Sequence, residues 1–95
     1  ILSPNEIKNL NQSDEPLELS KSFAAKEATA KALGIGFRNG VYPRSIQLYH
    51  NDLGKPLLRV TNGTLALFKR HHIRNASISI SHDAGMVLAF VVLEK

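Results

Sequence analysis

Glu27 and Lys31 stand four residues apart, and Gly34 and Gly36 follow closely behind them. On an α-helix, residues i and i+4 share a face. A carboxylate and an ammonium would therefore meet just ahead of a glycine-rich end. Magnesium takes hard oxygen ligands, commonly one or two carboxylates completed by phosphate oxygens and water. A lysine beside it can neutralise phosphate or act as a base. Glycines let a phosphate approach the backbone. The group suits a metal-bound pyrophosphate. It equally suits a plain surface: a Glu-to-Lys pair at i,i+4 contributes only about 0.2–0.5 kcal/mol, and glycine after a helix is ordinary capping. Spacing alone leaves both readings open.

Three further groups carry polar chemistry. In Ser79-Ile80-Ser81-His82-Asp83 the Ser81 hydroxyl and the His82 imidazole can both donate to a phosphate. A Ser/His/Asp triad is discounted, because neighbours on one strand rarely point at each other. The alternative is a polar turn with a half-exposed histidine. In Asp52-Leu53-Gly54-Lys55-Pro56 the lysine can reach a phosphate or a nucleobase, or simply be solvated. Lys69-Arg70-His71-His72-Ile73-Arg74 is the densest basic run. It suits an acidic partner, and equally a helix C-terminus, where cations meet the macrodipole favourably.

The elements that must hold these residues follow from periodicity. Ser3-Pro4-Asn5-Glu6 reads as a capped start of a short helix, with Leu2 and Ile7 as a hydrophobic staple. Asp14-Glu15-Pro16 is a second start signal. It opens a long helix expected from about Glu15 to Leu33, with Leu19, Phe23, Ala30 and Leu33 along one stripe. Gly34-Ile35-Gly36 ends it. Ser45 to His50 alternates as a strand, Asn51 to Gly54 turns the chain, and Leu57 to Val60 returns. Thr64 is the expected cap of a short helix through Phe68. Ala76 to Ser81 alternates as a half-buried strand, His82 to Gly85 turns, and Met86 to Leu93 is a nearly continuous apolar strand. Phe68 and Phe90 take core-like positions. The fold class is α+β, antiparallel hairpins packed as sheet against one long helix.

The bulk numbers narrow the partners. Ninety-five residues make one small domain, and 43% hydrophobic residues make it globular. No cysteine is present, which excludes disulfides, thiol nucleophiles and thiolate metal sites and fits a reducing cytoplasm. The net charge of +4 favours anionic partners. No apolar stretch is long enough to span a bilayer, and no signal peptide opens the chain. Only 6% of residues are aromatic, which weakens a nucleic-acid reading.

Taken together, and in this order along nearly the whole chain, the opening Ile1-Leu2-Ser3-Pro4-Asn5-Glu6, then Phe23-Ala24-Ala25-Lys26-Glu27-Ala28, Lys31-Ala32-Leu33-Gly34-Ile35-Gly36, Gly54-Lys55-Pro56 and Ser79-Ile80-Ser81-His82-Asp83 resemble the holo-acyl-carrier-protein synthase family of 4′-phosphopantetheinyl transferases. The helix motif is the specific one. The resemblance implies the 4′-phosphopantetheinyl transferase-like fold and Mg²⁺-dependent transfer of 4′-phosphopantetheine from coenzyme A to a serine of an apo acyl carrier protein, with adenosine 3′,5′-bisphosphate leaving. It implies that Glu27 is a metal ligand. Lys31 would contact the pyrophosphate and help deprotonate the carrier serine. Gly34 and Gly36 would form part of the coenzyme A turn, Lys55 and Pro56 would contact the adenine side, and Ser81 and His82 the phosphates. The role of Asp83 is left open. It further implies a cytoplasmic enzyme of fatty acid biosynthesis, a homotrimer with coenzyme A between subunits if the N-terminal part is present, and an acidic carrier as partner. That the carrier docks on Lys69 to Arg74 is a separate expectation, from the charge of that run alone.

Two features depart from the pattern. The family begins with a strand bearing a second metal-binding aspartate and a basic helix that docks the carrier. Nothing here corresponds, and the first residue is Ile1. Residues 1–95 are thus expected to be a single, N-terminally incomplete domain with little or no activity by itself. The family also places a basic residue where Ser22 stands. A non-catalytic relic that binds coenzyme A or a carrier domain, and a small basic nucleic-acid-binding module, are the alternatives.

Overall fold

The computed structural model describes residues 15–34, 36–37 and 40–95. The helix start expected at Ser3 to Glu6, its Leu2/Ile7 staple and the Asp14 signal lie outside the described residues.

Helix α1 spans Glu15–Leu33, as the spacing predicts. Its buried face keeps Ala30 and Leu33 of the expected stripe, which belong to or pack against the core, but not Leu19 and Phe23. Ser22, Ala25, Lys26, Thr29 and Ala30 are buried, at the 3–1–3–1 spacing of a helical stripe, while Leu19 and Phe23 of the expected stripe are two-fifths exposed. Close approach and polar satisfaction select this face over hydrophobicity. The alanines let other elements come near, and the Thr29 hydroxyl donates to the Ala25 carbonyl at 2.8 Å.

A short 3-10 turn, Pro43–Ser45, leads into β1 (Ile46–His50). Strand β2 (Pro56–Val60) returns antiparallel, with Ile46 opposite Val60 and His50 opposite Pro56. Asn51 builds the turn between them. Its side-chain oxygen accepts from the amides of Leu53 at 3.0 Å and Lys55 at 2.9 Å, an Asx arrangement, and Gly54 supplies a φ of +82°.

Helix α2 is Asn62–Arg70, with Thr61 as its N-cap. Thr64, expected as the cap, instead lies inside the helix and is fully buried. Its hydroxyl sits 2.5 Å from that of Ser45, so packing against the 3-10 turn decides where the helix starts.

Strands β3 (Asn75–Asp83) and β4 (Met86–Glu94) form a long antiparallel hairpin, Asn75 opposite Glu94 and Asp83 opposite Met86. His82 and Asp83 stay in the strand. The turn is Ala84-Gly85 alone, at φ +50° and +79°, the paired positive φ that a two-residue hairpin loop favours.

The architecture is α+β, two two-stranded antiparallel ribbons packed with α1. Strand β2 lies against β3, and α1 packs chiefly on β4. Ala30, Val41, Ile46 and Leu67 form the core, with Leu33 and Leu58 packed against it. Phe68 is buried as expected, but Phe90 is not. Side chains alternate along a strand, and Met86, Leu88, Phe90 and Val92 fall on the hairpin's bare face, 64%, 54%, 69% and 57% exposed.

Candidate active site

Helix α1 itself brings Glu27, Lys31 and Gly34 together. Glu27 is half-buried and Lys31 exposed. Among the described residues the ion pair within 4 Å is Lys21 with Glu18 at 3.5 Å. The carboxylate of Glu27 and the ammonium of Lys31 are therefore not tied to each other and stay available to a ligand. The plain surface-pair reading of this spacing is not realised.

The helix closes with Gly34 and Gly36 in the left-handed region, at φ +84° and +64°. The Gly34 amide donates to the Lys31 carbonyl at 2.9 Å, and the Gly36 amide to the Ala30 carbonyl at 3.4 Å. Both amides thus serve the helix end. A side chain built at either glycine would meet nothing within 4 Å, so what the pair offers is an open approach to the backbone.

Within one chain His82 sits elsewhere. It lines a pocket of about 260 Å³ with Pro16, Leu17 and Ser20, at the opposite end of α1. At 1.5 Å per residue, Glu27 is about 10 Å and Lys31 about 16 Å further along the axis than Ser20. Ser81 and His82 also occupy opposite faces of the hairpin. His82 pairs with Val87 on the α1 side, and Ser81 pairs with Leu88 on the bare face. Lys55 is exposed at the tip of the β1–β2 hairpin and Pro56 opens β2, about 13 Å along β1 from Ile46.

The basic run is surface-borne. Lys69 and Arg70 end α2, His71 caps it, and all of these with His72 and Arg74 are exposed.

No three His, Asp or Glu side chains cluster among the described residues. One carboxylate, Glu27, stands half-buried on α1 a turn before Lys31. Magnesium is commonly held by one or two carboxylates with substrate phosphates and water, so Glu27 can supply one of the ligands such an ion takes beside a bound pyrophosphate.

Sequence reasoning passed over two features. Lys26 stands in the helix motif with nothing in its spacing to set it apart, yet it is wholly buried. The bare face of β4 did leave a signal. A strand apolar at nearly every position needs cover on both sides, and one chain of this size covers one.

Comparison with known proteins decides the family. Residues 1–91 match the profile of the 4′-phosphopantetheinyl transferase superfamily. The chain belongs to that superfamily of enzymes. A holo-[acyl-carrier-protein] synthase of Hamiltonella defensa is 41% identical over 95 residues, which cover 99% of this chain and 75% of that protein. The crystal structure of the Neisseria meningitidis holo-[acyl-carrier-protein] synthase superposes with a TM-score of 0.91 at 42% identity, over 100% of this chain and 77% of that one. The Helicobacter pylori synthase, solved in complex with coenzyme A, superposes at 0.83 with 32% identity over 98% and 76% of the two chains. The two-ribbon, one-long-helix arrangement is thus the transferase superfamily's fold. No described helix is long and apolar enough to cross a membrane.

Proposed function

We propose that this transferase moves 4′-phosphopantetheine from coenzyme A to a serine of an apo acyl carrier protein. The observation that carries the reading is the unpaired Glu27–Lys31 couple beside an open glycine end. In the reaction the serine oxygen attacks the pantetheine-side phosphorus of the pyrophosphate. The bond to the bridging oxygen breaks, adenosine 3′,5′-bisphosphate departs with that oxygen, and the serine proton passes to a base. Lys31 contacts the pyrophosphate as an ammonium, and only in its neutral amine form does it help take the serine proton. Glu27 would hold Mg²⁺, which supplies neutralisation of the charge that grows on the leaving phosphate. Gly34 and Gly36 admit the coenzyme to the backbone, and Lys55 with Pro56 meet its adenine side.

The separation of His82 from Lys31 along α1 supports a site shared between copies. In this reading Ser81 and His82 of one copy face the Glu27–Lys31 helix of another, in a homotrimer. The four exposed apolar residues of β4 support self-association, because patches of this kind mark interaction surfaces. The exposed cations from Lys69 to Arg74 would steer an acidic carrier. Such an enzyme works in the cytoplasm, in fatty acid biosynthesis.

The test is intact-mass analysis of an apo carrier protein incubated with coenzyme A, Mg²⁺ and this protein. The expected result is a mass gain of one phosphopantetheine that needs Mg²⁺ and disappears in Glu27→Gln. Transfer that persists undiminished in Glu27→Gln would reject the assignment.

A further inference from the structure

Lys26 is 0% exposed, which is unusual for lysine. A buried ammonium is costly unless its donors are used. Here the ammonium donates to the Pro43 carbonyl at 2.6 Å and, more closely still, to the Ile46 carbonyl. These acceptors lie 17 and 20 residues along the chain, at the far side of the connection that leaves α1 through Gly34. One side chain therefore joins the middle of α1 to the place where the chain re-enters regular structure.

The connection is also held from its other side. Gly40, at φ +92°, packs its backbone on Gly63 at the start of α2, so closely that a methyl group on Gly63 would overlap the Gly40 carbonyl. Next to it Val41 is fully buried in the core. The Gly34 end is thus covalently fixed to α1, and the Gly40–Val41 end is fixed by Gly63 and the core, immediately before the turn that Lys26 grips.

We propose that Lys26 is a positioning residue for coenzyme binding, a buried clasp that holds the 3-10 turn and β1 against α1 and so sets the glycine end that receives the coenzyme. It touches no substrate, since no part of it reaches the surface. It acts through Gly34 and Gly36, while Glu27 and Lys31 on the open side of the same helix do the contacting. The inference rests on the proposed coenzyme A reading of those glycines.

Lys26→Met keeps the length of the side chain and removes the donors. Two carbonyls lose a charged partner, and the glycine end then samples conformations that do not bind. If one molecule in ten remains competent, apparent affinity falls about tenfold, because it scales with the competent fraction. The expected result is a KM for coenzyme A raised about tenfold with kcat at saturating coenzyme A little changed, and a matching loss in calorimetric affinity. A purely structural lysine would lower the melting temperature and leave KM alone. A folded Lys26→Met protein with unchanged KM would overturn the proposal. Where Lys26→Met does not fold, Lys26→Gln keeps an uncharged amide donor group at shorter reach and should show a smaller rise in KM; full affinity there overturns the proposal equally. Failure of the wild-type protein to bind coenzyme A would instead reject the coenzyme reading. The clasp itself is then judged on amide exchange at Gly36 and Val41, which must quicken about tenfold in Lys26→Met; unchanged exchange defeats it.

Discussion

Phe90→Thr should dissolve the proposed assembly while leaving the fold of each chain intact. Phe90 is 69% exposed and stands at the centre of the bare face between Leu88 and Val92, opposite Ser79. A phenylalanine carries roughly 200 Å² of surface, so about 140 Å² remains to be buried by a neighbour. At 25 cal/mol per Å², that contributes about 3.5 kcal/mol per contact. Losing most of it weakens each association step by about two orders of magnitude. Within one chain the same change should cost under about 0.5 kcal/mol, the usual size for a surface substitution, and threonine keeps the strand's preference for β-branched residues. Sedimentation equilibrium across a dilution series reads the assembly, and thermal unfolding monitored by circular dichroism reads the chain. Wild type is expected as a trimer and Phe90→Thr as a folded monomer. A variant that assembles like wild type, or a wild type that stays monomeric throughout, would refute the reasoning.

Three other outcomes are expected. Ala84 holds a φ of +50° in the β3–β4 turn, a conformation that costs a residue with a Cβ about 1–2 kcal/mol; Ala84→Gly should recover about 1 kcal/mol, and a lower melting temperature would contradict this. Glu27→Gln and His82→Ala should each be inactive alone but regain part of the activity when mixed and reassembled, because a shared site can then draw one intact residue from each copy; no recovery on mixing argues for a site within one chain. Arg70→Glu with Arg74→Glu should weaken carrier binding about tenfold, more at low salt, and leave coenzyme A affinity unchanged; unaltered carrier affinity removes that surface from the account.

The long helix was legible because Ala-rich propensity, the Glu15-Pro16 start and the Gly34 stop agree. Its buried face was legible only in part, at Ala30 and Leu33. Counting apolar residues selects Leu19 and Phe23, whereas the fold buries Ser22, Lys26 and Thr29. Polar residues enter a core when a specific acceptor waits for them, and no periodicity reveals acceptors at Pro43 and Ile46. Thr64 misled for a related reason: its cap-like chemistry serves a partner, Ser45, that is 19 residues away. Phe90 read as core because strand patterning reports that a face needs cover without saying whose. The chemistry of Glu27, Lys31 and the glycines was legible because it lies within two turns of one helix. The distance between that group and His82 was not, since it depends on how the β3–β4 hairpin lies along α1.

Calorimetric titration of coenzyme A, with Mg²⁺ present, into the wild-type chain and into Lys31→Ala puts the central claim to its most direct test. A hydrogen bond to a charged group contributes about 1.5–3 kcal/mol, so the account predicts that wild type binds and that Lys31→Ala binds ten- to a hundredfold more weakly. Equal affinities in the two proteins would contradict it.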